Sequence, residues 1–130
     1  FVSLMPRVLG LLTVLLSCLF AKSRGVAFID ATSLAVCHNK RIFNHKVFQG
    51  LALRGRTTKG WFFGFKLHVI INDKAELVRV RLTPGNVDDR TVVPLMTQSL
   101  QGLLFGDKGY ISQKLFLQLY RRGVKLVTGI

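Results

Sequence analysis

"GFKLHVIINDKAELVRVRL", residues 64–82, reads as two strands joined by a turn. In the first, Phe65, Leu67, Val69 and Ile71 alternate with Lys66, His68 and Ile70, the period-2 pattern of a half-exposed strand. In the second, Val78, Val80 and Leu82 oppose Arg79 and Arg81. Asn72, Asp73 and Lys74 supply turn chemistry between the two runs, so the segment predicts an antiparallel hairpin. "TPGN", residues 83–86, stops it.

Upstream, "VAFID", residues 26–30, predicts a short buried strand ending in a carboxylate. The thirty or so residues that follow have no clean periodicity and gain freedom from Gly50, Gly55, Gly60 and Gly64, which predicts a long loop, functional or disordered. Downstream, Asp88, Asp89 and Thr91 offer N-caps for a helix burying Val92, Leu95, Met96 and Leu100, with Pro94 tolerable only near its first turn. "LLF", residues 103–105, predicts a second short buried strand leading into Gly106 and Asp107. Ser112 caps a further helix carrying Leu115, Phe116, Leu119 and Tyr120, which Arg121, Arg122 and Gly123 close. "VKLVTGI" then begins another strand. This order predicts a mixed α/β sheet with helices packed against it.

The chain has 130 residues, 19 of them Lys or Arg against six Asp or Glu, a formal charge of +13. Self-repulsion of that size is tolerated most easily beside a polyanion, nucleic acid first and an anionic membrane second. No acid lies between Asp30 and Asp73, whereas Lys40, Arg41, Lys46, Arg54, Arg56, Lys59 and Lys66 all do. Phe43, Phe48, Trp61, Phe62, Phe63 and Phe65 are interleaved with them, a mixture suited to phosphate contact and stacking. The basic loop is bounded at residues 38–61.

Cys18 and Cys37 lack CxxC spacing, which argues against a disulfide framework or zinc knuckle and for a reduced cytosolic setting. Cys37, His38 and His45 match no common zinc spacing. "VLGLLTVLLSCLF", residues 8–20, resembles a signal-peptide core but is too short to span a bilayer. Leu9, Leu12, Leu16 and Leu19 recur near helical spacing, so residues 1–24 are expected to be a remnant helix before a domain at 25–130.

If the first strand and "LLF" are parallel neighbours, Asp30 and Asp107 both lie at the carboxyl edge of the sheet, where α/β folds place ligands. Two converging carboxylates repel unless a cation lies between them, and oxygen ligands favour Mg²⁺ or Mn²⁺. Two such ions serve in-line attack on phosphorus. The plainer alternative is that Asp30 and Asp107 only cap turns, at "DAT" and "DKG".

"FIDATSL", "GFKLHVIIND", "LTPGNVDDR" and "LLFGDKGYIS", in this order, resemble the transposase DDE domain of bacterial insertion sequences, over most of the chain from Val26 onward. The resemblance implies a ribonuclease-H-like fold, incomplete at the C-terminus. It also implies a cytoplasmic, nucleoid-associated enzyme, dimeric or larger when complete, that binds terminal inverted repeats, cuts the element's ends and joins them to target DNA. Asp30 and Asp107 match the family's first and second catalytic, metal-binding aspartates, and Lys108 lies where a phosphate could be touched. The family's third acid, a glutamate on a later helix, has no counterpart, since no acid follows Asp107. The fragment is therefore expected to be inactive alone. Asp88 or Asp89 could substitute, although helix capping is their commoner role. The competing readings are a DNA-binding remnant that does not cut and a small exported basic protein.

Overall fold

The computed structural model describes residues 4–129; residues 1–3 of the expected remnant helix, and Ile130, lie outside the described residues. Six strands form one sheet: β1 (Val26–Cys37), β2 (Leu53–Thr57), β3 (Gly60–Asn72), β4 (Leu77–Pro84), β5 (Gly102–Gly106) and β6 (Val124–Thr128). The helices are α1 (Met5–Leu19), α2 (Asp89–Met96) and α3 (Gln113–Tyr120). The long strand β3 pairs antiparallel with β1 on one side; on the other, β2 takes its first half and β4 its second. β1, β5 and β6 follow as parallel neighbours.

The expected hairpin is β3–β4, and its turn is organised by a buried side chain. Asn72 is 1% exposed, and its Oδ1 accepts from the N–H groups of Lys74 and Glu76, each at 3.0 Å. Ala75 takes φ 60 in that turn.

Two expectations about β1 and the segment after it fail. The first strand does not end at Asp30 but runs on to Cys37, because its second half continues along β3 after β5 has stopped. That half is largely exposed, so burial imposes no alternation on its sequence. The supposed loop also contains a 3-10 turn (Asn39–Asn44) and β2, joined to β3 through Thr58 and Lys59. Gly55 of β2 lies against the backbone of Gly85, where any side chain would collide, so close approach rather than flexibility explains that glycine.

The core lies on one face of the sheet, under α2 and α3, where Ala27, Ile29, Ile70 and Leu104 meet Val93, Met96, Leu115 and Leu119. Asp88 is the N-cap of α2, its side chain accepting from the Arg90 N–H at 2.9 Å. Leu95 faces out, its place in the core taken by Val93; Pro94 lies past the first turn of an eight-residue helix. Ser112 caps α3 as expected, but Tyr120 is exposed and stacks on Phe116.

The face of β3 that is buried is the one carrying Lys66 and His68. His68 is fully buried, with its Nε2 2.8 Å from the Thr83 hydroxyl. Burial holds its pKa below the usual histidine value, with Lys66 and Arg81 acting in the same direction and Asp89 opposing them. The unfolded chain therefore takes up this proton first as pH falls below 6.5. Stability should be full above that pH and decline below it, by at most about 1.4 kcal/mol per pH unit from this group. Urea unfolding between pH 7.5 and 5 measures it; the same decline in His68→Gln would remove His68 as its source.

Candidate active site and nucleic-acid interface

The parallel pairing of β1 with β5 ends at Phe28 opposite Phe105, whose rings stack with centroids 5.4 Å apart. Two residues further along each chain stand Asp30 and Asp107. Asp30 lies within β1 and Asp107 directly after β5, so both stand just past the paired segment of two parallel neighbours. Asp107 also N-caps a short 3-10 turn, its Oδ1 accepting from the Gly109 N–H at 2.9 Å; Asp30 accepts from the Ala31 N–H at 2.8 Å. The turn role suggested by "DKG" is present at Asp107, whereas "DAT" lies inside β1 and forms no turn.

The ionic environment separates these two acids from most of the others. Asp73 pairs with Arg24, Asp88 with Arg90 and Asp89 with Lys66. Glu76 accepts from the Asn72 amide at 3.0 Å. Asp30 and Asp107 have no ion-pair partner among the described residues, in a chain with 19 basic side chains. Tyr110, three residues after Asp107, is 2% exposed and belongs to the core. Burial first, then Asp89, Asp30 and Asp107, push its hydroxyl above the usual tyrosine range.

No cluster of three or more His, Cys, Asp or Glu side chains able to hold a metal ion occurs among the described residues. A pair of carboxylates would suit a hard ion, since Mg²⁺ commonly takes one or two carboxylates and completes its shell with water and substrate phosphate oxygens. His38 and His45 are otherwise engaged: His38 Nδ1 accepts from the Lys40 N–H, and His45 Nε2 from the Phe48 N–H.

The basic residues divide into two groups. Arg54, Arg56 and Lys66 line one groove together with Trp61. Arg56 lies over the Trp61 ring at 5.8 Å and Arg54 over Phe43 at 5.7 Å, so both guanidinium groups are held on aromatic faces. Lys66 and Arg56 also line the adjoining cavity that reaches Asp89 and Asp107. Lys40, Arg41, Lys46, Lys59 and Lys108 are exposed on turns and loops. Sequence reasoning missed that Asp89 and Lys66, 23 positions apart, would meet.

A family model described as "Transposase DDE domain" matches residues 20–130. The chain belongs to the transposase DDE domain family. Among solved structures, this DDE domain resembles a chain of a cryo-EM structure titled as a piggyBac transposase synaptic complex with hairpin DNA, with a TM-score of 0.53 and 12% identity. The match covers 82% of this chain and 23% of that one, so the domain spans about a quarter of the transposase it resembles. At that identity the likeness is one of fold, and it agrees with the expected ribonuclease-H-like mixed sheet. No curated protein matches the chain. No helix among the described residues is long and apolar enough to cross a membrane.

Proposed function

We propose that this DDE domain is part of a transposase catalytic core acting in metal-dependent cleavage of DNA ends and strand transfer. The observation that carries the reading is that Asp30 and Asp107 each stand two residues beyond the last pair of the parallel neighbours β1 and β5, without cationic side-chain partners among the described residues. These two would hold Mg²⁺ or Mn²⁺, two ions in the complete site. Bound there, the ions supply Lewis acidity toward a phosphodiester.

The chain's own cations handle the substrate. Arg54 and Arg56, braced on aromatic rings, and Lys66 beside them give the groove fixed positive charge for a phosphate backbone, while Lys40, Arg41, Lys46, Lys59 and Lys108 extend that field around it. Double-stranded DNA, as terminal inverted repeats and target, is the proposed partner. An insertion sequence is the proposed source, with the full-length protein a dimer or larger acting at the bacterial nucleoid.

Anisotropy titrations of a short duplex against salt test the interface. Each phosphate contact contributes about 0.9 to the slope of log affinity against log salt, so engagement of four of the eight cations gives a slope of about −3.6. A flat response would remove the groove from DNA binding.

A further inference from the structure

Lys66 differs from the other basic residues in being almost enclosed. Its side chain is 14% exposed, and its ammonium donates to the Val87 carbonyl at 2.9 Å and to Asp89 Oδ1 at 3.0 Å. An ammonium has three donors, so one remains, and Lys66 lines both the groove with Arg54 and Arg56 and the cavity that reaches Asp107. Asp89 is the first residue of α2, directly after the capping Asp88, so it is fixed by the helix while Lys66 is fixed by β3. Asp88 is occupied elsewhere: hydrogen bonds from the Arg90 side chain hold its carboxyl down at about 2.

We propose that Asp89 is a positioning residue that aims the Lys66 ammonium at a DNA phosphate lying between Arg56 and Asp107. The inference rests on the DNA-binding reading above. A free lysine spreads its charge over many rotamers, and ordering it costs entropy when it binds. Two fixed acceptors remove that cost beforehand and leave the remaining N–H directed into the groove. Asp89 thus strengthens the grip on a polyanion although it carries negative charge itself.

That makes the sign of the test unusual. Removing an acid that merely stands near a DNA groove reduces repulsion and tightens binding; removing this one should weaken it. The measurement is duplex anisotropy against salt for the full chain, with urea unfolding as the control for folding. Lys66→Met is expected to lower the salt slope by about 0.9, the loss of one phosphate contact. Asp89→Asn, which keeps shape and a weaker acceptor, is expected to bind severalfold more weakly with a reduced slope, and Asp89→Glu to recover part of the loss. The double variant should bind no worse than Lys66→Met alone, because the second change removes the aim of a group already absent. Unchanged or tighter binding by Asp89→Asn, or additive losses in the double variant, overturns the proposal. A flat salt response in the unaltered chain overturns the DNA reading instead.

Discussion

Asp30→Asn or Asp107→Asn, introduced into a cleavage-competent transposase carrying this domain, is expected to lower DNA end cleavage by roughly a thousandfold or more while duplex affinity stays within about twofold. Losing a single preorganised hydrogen-bond donor already costs 10²–10³ in comparable charge-stabilising sites, and an ion-holding carboxylate supports more developing charge than one such donor. Either asparagine keeps the shape and still accepts the local backbone hydrogen bond, from Ala31 in one case and Gly109 in the other. The fold should therefore survive, so loss of activity reports on charge. Affinity should hold because phosphate contacts come from the cationic groove. Equal activity in both variants would assign the two acids to turn capping alone and leave a DNA-binding module.

Gly102→Ala is expected to destabilise the domain by about 3 kcal/mol or more. Gly102 opens β5 with φ 99, and a methyl group there would land on the carbonyl of Gly25, the oxygen that accepts from the Leu103 N–H at 2.8 Å. Gly25 and Gly123 open β1 and β6 with φ 89 and 84, and the Gly102 N–H donates to the Gly123 carbonyl at 3.0 Å. Three glycines thus start three parallel strands side by side. The pairing they anchor ends at Phe28 and Phe105, two residues before Asp30 and Asp107, so this substitution threatens candidate site and fold together. Gly10→Ala, in α1 with open space around it, is the matched control and should be neutral or slightly stabilising. Urea unfolding measures both; a Gly102→Ala cost below about 0.5 kcal/mol would contradict the argument.

What the sequence made legible was local. The β3–β4 hairpin followed from alternation and turn residues, and Ser112 announced its helix by its place before an apolar stripe. The parallel pairing of the segments ahead of Asp30 and Asp107 was legible because each acid follows a short apolar run. What stayed hidden depended on distant partners. β3 buries its His68 face because Thr83 and Asp89 meet the polar side chains there, 15 and 23 positions along the chain, and periodicity carries no record of such partners. The second half of β1 is largely exposed, so the alternation that betrays a strand was never imposed. β2 was concealed by Arg54, Gly55 and Arg56, whose places follow from the groove and from the close approach of Gly85.

The most direct test of the central claim is a crystal grown with Mn²⁺ and measured for anomalous scattering. A peak within about 2.5 Å of carboxylate oxygens from both Asp30 and Asp107 is expected, absent from the Asp30→Asn crystal. A peak bound by only one of them, or both carboxylates turned apart with no ion between, would contradict it.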